Sequence, residues 1–205
     1  MQVWLRRAGV LLPYLAVVLG LFVAHNAWLA MMAYHAGMMI LLAVASAWPQ
    51  ARRLGALAPG WWSMLMFLSG IGSGIGLGLL WPWLGIDSRL GARLTVWGLT
   101  AGTWLPFITY FSLVNPWLEE LYWRGWLGSM SRRPVPSDLW FGGYHVLILA
   151  PFVGWPWLSL VWLSLSGASW LWRQIVRRDG SLITTFLFHL GADASIAIAI
   201  YHHVS

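Results

Sequence analysis

The chain has no cysteine and no lysine, and only six of its 205 residues are acidic. Without cysteine there is no disulfide, no thiolate metal site and no cysteine nucleophile. Without lysine, the net charge of +6 comes entirely from arginine. Most of these arginines fall in short loops between apolar runs, where they read as topology signals and not as a nucleic-acid surface. Charge is scarce altogether, 9% of residues against 60% apolar. No hydrophilic stretch is long enough to build a second domain outside a bilayer. A soluble core of this size does not need so little charge.

What is abundant is apolar sequence in runs long enough to cross a ~30 Å hydrocarbon core at ~1.5 Å per residue. With Pro, Gly and Arg clusters as punctuation, these runs cover about 8–24, 27–48, 61–84, 94–114, 117–130, 139–153, 157–172 and 181–202. They predict an all-α fold, a polytopic membrane helix bundle of seven to eight transmembrane helices, as one domain over 1–205. The fifth and sixth runs are shorter than the ~17 residues usually required, which suggests tilt, local thinning or a re-entrant path. Arg6-Arg7 and the run behind them resemble a signal peptide, but no small-x-small cleavage site follows, so the run is taken as the first spanning helix. Many of the 18 tryptophans lie near run ends and suit interfacial belts. Gly70, Gly74 and Gly78 recur every fourth residue and predict a close helix contact; no phosphate loop is indicated, because strand context and a following Lys-Ser/Thr are missing.

Orientation stays open at this level. If all eight runs cross, Arg89, Arg93, Arg132, Arg133, Arg173, Arg177 and Arg178 share one side, opposite Arg6, Arg7, Arg52 and Arg53. If one run between residues 61 and 130 fails to cross, Arg132 to Arg178 join Arg6 to Arg53 and give a cleaner positive-inside bias.

Three ionisable residues, Glu119, Glu120 and Arg124, lie inside the apolar run 117–127. One charge at the centre of a membrane helix costs about 2.5–3.5 kcal/mol on insertion scales, so a cluster must pair, protonate or face a wet cavity. Residues four apart share a helix face, so Glu120 and Arg124 pair while Glu119, about 100° around, is left free to act as base, nucleophile or ligand. Further along, Phe141 and His145 share one face, as do His189 and Asp193. An isolated membrane histidine reads as a packed core residue. Two histidines, two glutamates, an arginine and an aspartate confined to three of the last four helices read as a site.

Glu119-Glu120-x-x-x-Arg124, Phe141-x-x-x-His145 and His189-x-x-x-Asp193, in that order on successive membrane helices, resemble the three motifs of the CPBP intramembrane proteases, the CAAX-protease and bacteriocin-processing family. The resemblance covers a catalytic core of about 115–203; helices over about 1–114 carry no matching motif. It implies an intramembrane endopeptidase of a bacterial inner (cytoplasmic) membrane, acting on a membrane-associated protein or peptide, with the lipid bilayer as its other partner and no nucleic acid. Glu119 and His145 then activate a water for attack on a peptide carbonyl. The division of labour within the glutamate pair agrees, since Glu119 is the carboxylate that Arg124 does not consume. His189 donates to the developing oxyanion and Asp193 orients it. The family often has asparagine at this last position, and an ionised Asp193 cannot donate as asparagine does. Glu120, Arg124 and Phe141 support the site.

No cofactor is favoured. The second mechanism is metal-dependent hydrolysis, with a divalent ion such as zinc on Glu119, His145 and His189; no His-Glu-x-x-His helix accompanies it. Two other classes compete: a haem-binding electron-transfer protein with His145 and His189 as axial ligands, which leaves Glu119 unexplained, and a proton-coupled transporter. His25, His35, His202 and His203 read as interface or packing residues. The serines and threonines have no base at matching positions.

Overall fold

The computed structural model describes residues 2–55 and 60–205 and is helical throughout, with no strand among the described residues. Helices α1 (Gln2–Gly9) and α2 (Leu12–Val17) and a π turn (Val18–Val23) form the first membrane-length segment. Its partner α3 (Ala27–Val44) starts at Asn26, whose side chain accepts the Leu29 N–H at 2.9 Å and so satisfies one of the free first-turn donors. After a 3-10 turn (Trp48–Leu54) come α4 (Gly60–Leu80) and the short α5 (Leu90–Val96). Helix α6 (Trp104–Glu119) runs without a break into a π segment (Glu120–Trp126). It is followed by α7 (Pro136–Leu149), α8 (Trp155–Asp179) and α9 (Ile183–Val204). Helix α7 opens with Pro136 behind an extended Val135, and α8 ends at Gly180, whose φ of 68° favours glycine.

The expected runs 94–114 and 117–130 are not two helices. Residues 104–126 form one continuous helix that passes through Pro116, while 94–96 belong to α5. A turn in which Thr103 Oγ1 donates to the Gly98 carbonyl at 2.6 Å separates the two. Proline removes one intrahelical bond but does not end a helix that its neighbours hold in place, and Pro116 is fully buried. Just downstream the hydrogen bonding widens to π register, a form common at functional sites.

Four segments are long and apolar enough to span a membrane by composition: Trp4–Val23, Ala27–Val44, Gly60–Trp83 and Ile183–Val204. The expected count of seven to eight is therefore met only in part on this criterion. The others fall short for identifiable reasons. The helix over 104–126 carries Glu119, Glu120 and Arg124, α7 has only 14 residues, and the charge-free stretch 155–172 of α8 is rich in tryptophan and serine. The outer surface is apolar, with Trp4, Trp61, Leu105 and Trp155 all more than 70% exposed, while Glu119, Glu120, Arg124, His189 and Asp193 are buried inside and most of the other arginines are exposed near helix ends and turns. That inversion belongs to an integral membrane protein.

The glycine face acts as expected. A β-carbon at Gly70 would overlap the Phe188 carbonyl, and one at Gly74 would overlap the Ser195 backbone, so α4 lies against α9 at a distance only glycine permits. Ser195 Oγ accepts the Gly74 N–H at 3.1 Å across the same contact. Gly78 meets only the His203 ring, at ordinary van der Waals distance. This packing fixes α9, and with it His189 and Asp193.

Candidate active site

Glu119 ends the α-helical part of α6 and is buried. Its Oε1 accepts two phenol hydrogen bonds, one from Tyr34 on α3 at 2.8 Å and one from Tyr144 on α7. Its Oε2 makes no hydrogen bond among the described residues and lies 3.4 Å from His189 Nε2. One oxygen is held, and the other is available to a water or a substrate proton.

Glu120 and Arg124 do face each other, with Arg124 Nη1 3.3 Å from Glu120 Oε1. The arginine is packed on two rings, its guanidinium carbon 4.1 Å from the Phe141 centroid and 4.6 Å from that of Trp172. Desolvated cation–π contacts of this type stabilise by about 2 kcal/mol. Phe141 thus supports the site through Arg124. Glu120 has a second role, because the same Oε1 lies 3.2 Å from His189 Nδ1.

His189 is surrounded by carboxylates. Nδ1 faces Glu120, while Nε2 faces both Glu119 Oε2 and Asp193 Oδ1, the latter at 3.5 Å. The carboxylate across Nδ1, where an orienting group is expected, is Glu120, and Asp193 shares the opposite edge of the ring with Glu119. Trp172 stacks near the imidazole face at a centroid distance of 5.9 Å. His145 sits on α7 beside Tyr144, ring centroids 4.0 Å apart. Its Nδ1 bonds the Phe141 carbonyl at 2.8 Å, which makes Nδ1 the donor and leaves the lone pair on Nε2. Among the described residues no group of three or more His, Asp or Glu side chains has the arrangement of a metal site.

Helices from both halves of the chain build the centre. Asn115 Nδ2 donates to Asp193 Oδ2 at 2.9 Å, Asn115 Oδ1 lies 3.1 Å from His35 Nε2, and His35 Nδ1 lies 3.0 Å from the Tyr110 hydroxyl. His35, expected to be a packing residue, is a buried member of a polar chain that reaches Asp193. Trp123 Nε1 donates to the Tyr34 hydroxyl at 2.9 Å and so orients one of the two phenols on Glu119. Tyr34, Tyr144, Asn115 and His35 were not singled out from sequence. Asn115 and His35 carried a usable signal, a polar side chain in an apolar run; the tyrosines carried none, since phenols are common near membrane interfaces.

Residues 101–195 match the family model described as Rce1-like, type II CAAX prenyl endopeptidase Rce1-like. The matched segment contains Glu119, Glu120, Arg124, Phe141, His145, His189 and Asp193, so the similarity to CAAX proteases read from the motifs holds over the part of the chain that carries them. No curated protein and no solved structure gives a significant match. The N-terminal helices, which contribute Tyr34 and His35, lie outside the matched residues.

Proposed function

We propose that the protein is an intramembrane endopeptidase that hydrolyses a peptide bond of a membrane-associated protein or peptide in a bacterial inner (cytoplasmic) membrane. The observation that carries this reading is the asymmetry of the glutamate pair: Glu119 is held through Oε1 by two phenols with Oε2 free of hydrogen bonds, while Glu120 faces Arg124. The family match supports it, since its description names an endopeptidase and its residues include every motif position.

In this mechanism Glu119 Oε2 and His145 Nε2 hold a water, and Glu119 takes its proton. The hydroxide adds to the scissile carbonyl carbon. His189, kept in place by Glu120 and Asp193, donates to the oxyanion. The C–N bond then breaks, and the proton passes from Glu119 to the leaving amine. The ring packing of Phe141, Tyr144 and Trp172 limits bulk water.

We further infer seven crossings. Arg6, Arg53, Arg173 and Arg177 line one cavity, which gathers the N-terminus, the segment 48–54, the loop after residue 126 and the α8–α9 turn at one end. At the other end Arg93 donates to the Pro151 carbonyl at 3.2 Å, and Gly91 approaches Val204. All 12 arginines except Arg89 and Arg93 then lie towards the first end, Arg124 as a buried wall of its cavity, and the positive-inside rule places that end in the cytoplasm.

The test is proteolysis in vesicles made with heavy-oxygen water. Membrane-tethered peptides are offered to the purified protein, and each product is read by mass spectrometry. One heavy oxygen in each new carboxyl group supports hydrolysis. Cleavage lost on chelation and restored by zinc would replace the glutamate mechanism with the metal-assisted one. A haem absorption band with no cleavage, or proton movement with no cleavage, would replace the protease reading altogether.

A further inference from the structure

At the arginine-rich end lies a cavity of about 220 Å³ whose wall includes Arg6, Arg53, Arg124, Arg173, Arg177 and Gln50. Only one of these guanidiniums is saturated: Arg173 binds Asp138 at 2.8 Å and the carbonyls of Ser129 and Arg133. Arg53 donates to the carbonyls of Gly180 and Val176, and Arg177 Nε to Gln174, so neither meets a carboxylate. Arg6 is exposed and makes no ion pair among the described residues. Arg124 is the most telling. It is buried, and among the described residues none of its three nitrogens makes a hydrogen bond, although Nη1 lies 3.3 Å from Glu120.

Buried donors are nearly always satisfied, and a buried guanidinium whose N–H groups lack hydrogen bonds, even beside a carboxylate, costs more than a neutral group. Several unneutralised cations around one opening also raise each other's energy. An oxyanion in the cavity relieves both. The volume equals that of about seven waters, enough for a glycerophosphate-sized group and too small for a folded peptide segment. Guanidinium forks match phosphate oxygens, and basic pockets between helices at the cytoplasmic face suit anionic headgroups. Met130, 68% exposed on the rim, offers apolar surface beside the charge.

We propose that this cavity binds the phosphate of an anionic phospholipid headgroup at the cytoplasmic end of the bundle. The proposal goes beyond the protease reading and does not depend on it. Because Arg124 forms the floor and faces Glu120, occupancy is connected to the residues that hold His189.

Lipid retention tests it without any substrate. The purified full chain is mixed with equal amounts of phosphatidylglycerol and phosphatidylcholine of matched acyl chains and read by native mass spectrometry. Wild type is expected to retain one phosphatidylglycerol in preference. The variant carrying Arg6→Gln and Arg177→Gln, two side chains that bond no carboxylate, should lose about 30-fold of that preference at two surface charges. Arg53→Lys, which keeps the charge, should lose far less. Equal retention of the two lipids by wild type, or an unchanged preference in the double variant, overturns the proposal. So does competition by millimolar inorganic phosphate as effective as that of the lipid, which would assign the cavity to a free anion. Unchanged lipid retention together with a raised KM for carboxylate-ended peptides in the double variant would assign it to the substrate.

Discussion

Replacing either phenol on Glu119 by phenylalanine should separate holding that carboxylate from packing around it. Tyr144→Phe removes one hydrogen bond to Glu119 Oε1 and leaves the ring stacked on Trp123 at 6.0 Å. A hydrogen bond to a charged group contributes about 1.5–3 kcal/mol, so Tyr144→Phe should destabilise by that amount. Tyr34→Phe removes an equivalent bond and also takes the acceptor from Trp123 Nε1. The orphaned donor adds roughly 1–3 kcal/mol, so Tyr34→Phe should be the more destabilising change. For activity, each single variant should lower kcat/KM about 10–100-fold, because the base keeps one of its two positioning donors. The double variant should lose much more than either, since nothing then fixes Oε1. Reversible unfolding in mixed micelles measures the stability order, and cleavage of a tethered peptide measures the kinetics. If both single variants match wild type in stability and rate, the phenols are bystanders and do not hold Glu119.

Three further outcomes follow from other parts of the molecule. Arg173→Gln leaves Asp138 buried without its partner and frees the carbonyls of Ser129 and Arg133, so unfolding measurements should show a loss of about 3–5 kcal/mol. Gly74→Val pushes a branched side chain into the Ser195 backbone; it should separate α4 from α9, costing at least about 1–3 kcal/mol and most of the activity, whereas Val at Gly76, which faces open space, should be tolerated. Asp87, in the loop before α5, is held down to a pKa of about 2 by the side chain and backbone N–H of Arg89. A lowered carboxyl pKa stabilises the fold above the unfolded value near ~4, and that stabilisation is lost as pH falls towards 2. Carbon-detected NMR should find this midpoint, and Arg89→Gln should raise it.

The helix that carries Glu119, Glu120 and Arg124 was legible in the sequence because charge inside an apolar run is costly and therefore conspicuous. The same logic set Glu120 apart from Glu119 and singled out His189 and Asp193, whose side chains the structure places beside the glutamate pair, and His145 on α7. It overlooked the tyrosines, because a phenol costs little near a membrane and their meeting on Glu119 depends on contacts 85 and 25 residues apart in sequence. His35 was undervalued for a related reason: its partner Asn115 is also neutral, so neither shows in a search for charge. The fold was legible in its helices and in the glycine seam of α4. It was misread at Pro116, where punctuation by proline split one helix into two, because local sequence does not show that neighbouring helices hold the chain through the defect.

In the proposed mechanism Glu119, and not its neighbour, takes the proton from water. Glu119→Gln keeps size and can still meet both phenols, so it removes the base with little change in packing. The decisive measurement is kcat/KM for this variant beside wild type, in matched vesicles, with unfolding recorded on the same samples. General-base catalysis contributes about 10²–10⁴-fold, so kcat/KM should fall within that range while stability is retained. Cleavage by Glu119→Gln at the wild-type rate would contradict it.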